Sequence, residues 1–176
     1  MAATGDELRT LDGTTFLLVQ STQDSAGQRV EFEITLPPGA PSPPLHFHPR
    51  QTEEWHVVEG TLSACIDGSW RDLRAGESVS MPPEQVHTLR NKSDGTVRVR
   101  DVHSPAGDFQ EYIEALHRLS ETGKVKSLKD LRSLIHLSML LYEHRRSGGQ
   151  VTASAVQRLG ETVLARIGKL LRYELG

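Results

Sequence analysis

"PPLHFHPRQTEEWHVVEG", Pro43 to Gly60, sets two histidines two residues apart, then a carboxylate, then a glycine that reads as a turn. Side chains alternate faces along a strand, so His46 and His48 share one face while Leu45, Phe47 and Pro49 take the other. Four residues separate His48 from Glu53, enough for a bend. With Glu53 at the start of the next strand, Glu53, Trp55 and Val57 share a face, and Glu54, His56 and Val58 take the opposite one. Two imidazoles and one carboxylate then converge on a point, a donor set suited to divalent Mn, Fe, Co, Ni, Cu or Zn. His87, which follows the turn, strand and proline-fixed loop of "GESVSMPPEQV", is the candidate for a further ligand.

The surroundings of this stretch read as β. "TTFLLVQ", "RVEFEITL", "EWHVVEG", "TLSACIDG", "GESVSMP" and "TVRVRDVH" are short runs of strand character separated by Gly, Pro, Asp and Asn. Their spacing predicts an antiparallel sandwich or barrel. Asp67-Gly68 and Asp94-Gly95 are hairpin-turn candidates. After Pro105 the period becomes helical. Asp108 with Glu111 resembles a capping box, and Gly123 is a stop signal. Ser127 with Asp130 opens a helix to about Arg146. "SGGQ" breaks the chain, and Thr152 starts a last helix with Val156, Leu159, Val163, Ile167, Leu170 and Leu171 on one face. The middle helix is apolar on several sides, which calls for cover from the barrel, the last helix or a second subunit. The expected organisation is a β-barrel over 1–104 and an extension of about three helices over 105–176, packed on the barrel or on a partner subunit.

The chain has 176 residues, 36 % of them apolar, which suggests one domain with an appendage. Its formal net charge of −3 gives no expectation of strong nucleic-acid or anionic-membrane binding. Charge is nonetheless uneven: residues 1–104 hold 9 basic and 15 acidic residues, and residues 105–176 hold 11 and 8. A single cysteine, Cys65, excludes an internal disulfide. "MAATGDELRT" lacks the order of a signal peptide, and no apolar run reaches the ~18 residues of a bilayer span. A soluble, cytoplasmic protein is expected.

Gly39, His46-x-His48, Glu53 and Gly60 together resemble the first motif of the cupin superfamily. Gly76, Pro82, His87 and Asn91 resemble the second. The entry loop from Gly39 to His46 is one residue longer than in that pattern, and Glu84 stands where the second motif usually carries glycine. The resemblance implies a cupin double-stranded β-helix (jelly-roll) holding one divalent transition metal ion by His46, His48, Glu53 and His87. The set of three histidines and one glutamate is similar to the quercetin-dioxygenase-like branch. That implies a metal-dependent oxygenase acting on a small organic, possibly aromatic, substrate, with Glu53 also able to accept a proton. A non-redox isomerase or cyclase, in which a nearby base such as His103 moves a proton, is a second implied activity. A non-catalytic binding or sensing module is the third.

The remaining candidates follow from alternation. In "TVRVRDVH", Val97, Val99, Asp101 and His103 share a face; with the valines inward, His103 lines the barrel as a wall residue or an acid–base group. Trp55 and Met81 are expected to line the pocket. His117, His136 and His144 lack partners at metal-binding spacing and read as surface or packing residues. Phe47, opposite the two histidines, requires cover from outside the barrel, by a helix of the extension or a second subunit, and a homodimer is expected.

Overall fold

The computed structural model describes residues 1–175. Ten strands form the β region: β1 (Glu7–Arg9), β2 (Thr15–Gln20), β3 (Val30–Leu36), β4 (His46–Phe47), β5 (Thr52–Glu59), β6 (Thr61–Ile66), β7 (Ser69–Arg74), β8 (Ser78–Met81), β9 (His87–Arg90) and β10 (Val97–Ser104). Then come α1 (Phe109–Glu121), α2 (Leu131–Ser147), a short strand β11 (Val151–Thr152) and α3 (Ala155–Leu170). The strands make two antiparallel sheets, ordered β1-β2-β3-β10-β5-β8 and β11-β4-β9-β6-β7. This is the double-stranded β-helix with a helical extension expected from the sequence.

Alternation explains the core. Val97, Val99, Asp101 and His103 of β10 are buried, while Arg98 and Arg100 lie outside. There Arg98 pairs with Glu33 and Glu59, and Arg100 with Glu31. Trp55, Phe32, Leu18, Leu62 and Met81 fill the interior between the sheets. Asp67-Gly68 forms the β6–β7 hairpin, both residues at positive φ (48° and 82°), as a two-residue loop of the right twist demands.

The extension differs from expectation in several places. Thr152 does not start the last helix; it pairs with His46 in β11, and Ser154 caps α3 through Gln157 N. Asp108 is the residue before α1, but its carboxylate caps nothing: it accepts from Ser147 Oγ and faces His144 Nδ1 at 2.9 Å. The cover that Phe47 requires comes from within the chain, where Val151 of β11 is its cross-strand neighbour.

α3 docks by the side opposite its apolar stripe. It meets α2 through its small residues: Ala165 and Gly168 are its buried positions. A Cβ on Gly168 would lie 2.3 Å from Met139 Sδ and 2.8 Å from Ile135, so the two helices approach there as only glycine permits. The face carrying Val156, Leu159, Val163, Ile167, Leu170 and Leu171 is turned to solvent.

Gly60 ends β5 at φ +81°, and a Cβ there would lie 2.8 Å from Thr96 O. Gly60→Ala combines left-handed strain with a clash against backbone. We expect it to lower unfolding free energy by about 1–3 kcal/mol, read as a shifted denaturant midpoint at unchanged slope.

Candidate metal centre

Two cross-strand pairs, one from each sheet, build the site. His46 pairs with His87 across β4 and β9. Glu53 pairs with His103 across β5 and β10, and Asp101 sits opposite Trp55 one step along. Directly opposed residues put their side chains on one face about 5 Å apart, so each pair arrives together. His48 enters from the bend between β4 and β5. The ligand atoms of His46, His48, Glu53 and His87 all lie within 4.8 Å of one another, and all four residues are buried.

The donor atoms have settled roles. His46 Nδ1 and His87 Nδ1 each lie 2.8 Å from a backbone carbonyl, Pro44 O and Gln85 O. A carbonyl only accepts, so both Nδ1 atoms carry the proton and each Nε2 presents a lone pair inward. Glu53 Oε2 lies 2.7 Å from His87 Nε2 and 3.0 Å from His48 Nε2. None of these three atoms makes a hydrogen bond, although all are buried. Lone pairs at that distance need a cation between them, either a proton or a metal ion. The donor set of three imidazoles and one carboxylate fits a divalent transition metal, which His46, His48, Glu53 and His87 would hold.

A second group adjoins the first through the other oxygen of the same carboxylate. Glu53 Oε1 accepts from Trp55 Nε1 at 2.5 Å and faces His103 Nε2 at 3.7 Å. His103 Nε2 lies 3.3 Å from Asp101 Oδ2. Asp101 and His103 are 2 % and 0 % exposed. The His103 ring stacks on Phe109, the first residue of α1, with ring centroids 3.6 Å apart. The extension thus closes the barrel directly over the site.

Burial and mutual charge shift these groups. Burial pushes the His46 imidazole down to about 3, with His87 adding to the effect, and His103 down to about 4. Burial likewise lowers His48. For His87 burial also lowers, but the Glu53 carboxylate outweighs it and raises the group. Burial alone would raise Glu53; His103, His48 and His87 outweigh it and hold the carboxyl well below the usual range. Asp101 goes the other way, raised by burial and by the charge of Glu53.

His46, His48, Glu53 and His87 therefore come together as the sequence predicted, and His103 joins Glu53. Trp55 and Met81 are both buried in the wall, with Trp55 serving as a donor to Glu53. Glu54 and His56 face outward and meet each other at 3.3 Å. His136 and His144 are buried packing residues, stacked on Tyr173 and Tyr112. Two participants were not singled out from sequence. Asp101 shares the face of His103 and was accessible to the same alternation argument. Phe109 had no local signal, because its contact with the site depends on where α1 docks.

The Cupin_2 family model, described as a cupin domain, matches residues 32–103. The HTH-type transcriptional regulator SutR of Escherichia coli (strain K12) is 32 % identical over 75 residues, 42 % of this chain and 42 % of that protein. Polyketide synthase CurC of Streptomyces cyaneus is 37 % identical over 54 residues, 31 % of this chain and 35 % of that protein. The matches thus span well under half the length of these two curated relatives. The solved structure of KdgF from Halomonas sp. superposes with a TM-score of 0.53 at 21 % identity, over 60 % of this chain and 90 % of that one, a likeness of fold.

Two outcomes are expected. Reconstitution with divalent metal should load wild-type protein stoichiometrically, and His46→Ala with His48→Ala should abolish that loading in elemental analysis. In metal-free protein, His46, His48 and His103 are held neutral below the ordinary imidazole value of 6.5. The unfolded chain takes up those protons first, so stability falls as pH drops below 6.5. Glu53 acts in the same direction at lower pH; His87 and Asp101, both raised, oppose it. Three lowered imidazoles outweigh the raised groups, giving a net loss of about 2–4 kcal/mol between pH 7 and pH 5 in urea unfolding.

Proposed function

We propose that this chain, a barrel with a cupin domain over residues 32–103, is a metal-dependent enzyme that moves a proton on a small organic substrate, in the class of isomerases and cyclases. The observation that carries the reading is the buried group of Glu53, Asp101 and His103 against the metal-ligand set. A divalent ion held by His46, His48, Glu53 and His87 supplies Lewis acidity toward a substrate oxygen. The chain's own residues supply the rest. His103 Nε2 is the acceptor for a substrate proton, within reach of two carboxylates that stabilise its cationic form. Asp101 Oδ2, 3.3 Å from that same nitrogen, accepts the hydrogen bond of the imidazolium once the proton has been taken. Trp55 holds Glu53 Oε1, leaving Oε2 turned toward His48 and His87. Phe109 and the apolar wall exclude water from the exchanging proton. The likeness to polyketide synthase CurC supports an oxygen-rich, aromatic or polyketone substrate.

The donor set of three histidines and one glutamate favours a second reading, a metal-dependent oxygenase on the same substrate class, with Glu53 as the proton acceptor. Metal-loaded protein assayed with a catechol, flavonol and polyketone panel separates the two. Turnover without oxygen is the expected result, and oxygen uptake matching turnover would move the assignment to the oxygenase. His103→Gln should lower kcat by about 10²–10⁴-fold while elemental analysis shows the metal retained. Loss of metal along with activity would make His103 a structural wall residue instead.

A further inference from the structure

The outward face of α3 is an exposed apolar stripe. Val156, Leu159 and Leu170 are 81 %, 65 % and 83 % exposed, and Val163, Ile167 and Leu171 continue the stripe. Spacings of three and four residues keep all of them on one side of the helix. Isolated exposed apolar residues need no explanation, but six large ones in a row on one helix do.

What surrounds the stripe is basic. Arg166 flanks it within α3 and Arg172 follows its end, both exposed, while Lys169 turns toward α2 and pairs with Glu143. The segment Gly123–Arg132 lies beside that end: Lys124 Nζ donates to Glu174 O at 3.0 Å, and the Arg132 guanidinium sits 5.2 Å from the Tyr173 ring centre. Between Gly123 and Arg132 the chain places four cations and one acid, Asp130, which is occupied in capping α2 through Ser133. Two further large apolar residues, Leu128 and Leu131, stand out from this segment at 61 % and 63 % exposure. Here the surface has a cavity of about 290 Å³ lined by Thr122, Gly123, Lys124, Lys126, Asp130 and Arg132.

We propose that this face docks on an anionic phospholipid surface, with the α3 stripe, Leu128 and Leu131 entering the interface and the cations meeting headgroup phosphates. An amphipathic helix with large apolar residues on one side and Lys and Arg at its border is the form that lies in a membrane interface. Charge decides against a second copy as the occupant. A second copy would offer the cations at the end of the stripe no compensating acidic patch from α3, whereas an anionic lipid surface complements them. Among the described residues no helix is long and apolar enough to cross a membrane, so the contact is peripheral. The chain's net charge of −3 conceals this surface, because the acidic excess lies in residues 1–104. The inference is independent of the metal chemistry.

The test is co-sedimentation of the full chain with vesicles of phosphatidylcholine alone and of phosphatidylcholine with one third phosphatidylserine, at low and high salt. Binding to the anionic vesicles, weakened by salt, is expected. Leu159→Glu with Leu170→Glu, at exposed positions, should cut binding at least about tenfold, and Lys126→Glu with Arg132→Glu should do the same without touching the apolar stripe. Metal content and circular dichroism check that the variants stay folded. Absence of binding to both vesicle types overturns the proposal. So does a dimer in sedimentation velocity that Leu159→Glu with Leu170→Glu dissociates, since the face is then an interface between copies. Salt-sensitive binding to nucleic acid with none to vesicles overturns it as well.

Discussion

A carboxylate buried at 4 % exposure in an apolar barrel is the constraint on which the structure turns. Glu53 cannot be held there by hydrophobic packing, because taking a charge out of water costs more than its neighbours' burial returns. It is tolerated only with compensation: a proton or metal ion between Oε2 and the imidazole nitrogens it faces, and the Trp55 indole N–H on Oε1. Two imidazole nitrogens face one oxygen, and an indole N–H and a third imidazole face the other. The registers β4–β9 and β5–β10 are what deliver those partners. A slip of one residue in either pair would turn a ligand to the opposite face and leave the charge uncompensated. Register in this barrel is therefore specified by polar chemistry as well as by apolar alternation.

The helical extension completes that arrangement. It contributes β11 to the edge beside His46 and lays Phe109 on His103. Its anchoring reuses residues that look like local signals. Asp108 reads as a helix cap but spends its carboxylate on His144 and Ser147 of α2, which ties the start of α1 to the end of α2. This holds Phe109, the next residue, over the site. The boundary near Pro105 marks a change of secondary structure, and the second sheet nonetheless draws its outermost strand from beyond it.

Much of the site was legible. His46-x-His48, the choice of Glu53 over Glu54, the outward His56 and the inward His103 all follow from period-two alternation, and the structure agrees at each. Asp101 follows from the same rule. The extension was harder to read. The periodicity of α3 correctly located one apolar face, and that face is the exposed one. Helix periodicity identifies which residues share a side; it does not say which side docks. Ala165 and Gly168 won the contact with α2 because small residues allow closer approach than the bulky stripe opposite.

From sequence alone came an antiparallel sandwich or barrel, the ligand candidates and about three helices, which rest on short-range rules of alternation, spacing and turn chemistry, while the cupin-type fold and the four-ligand set came as what a motif resemblance implied. The tertiary structure alone decided that His46 meets His87 across a ladder and that Glu53 divides its two oxygens between two groups. It also decided that Thr152 is a strand residue and that Phe109 closes the barrel. The physical reason is common to all four. Each depends on which surfaces come into contact over long sequence separation, where pairing register and close-approach geometry choose among partners that local preference cannot distinguish.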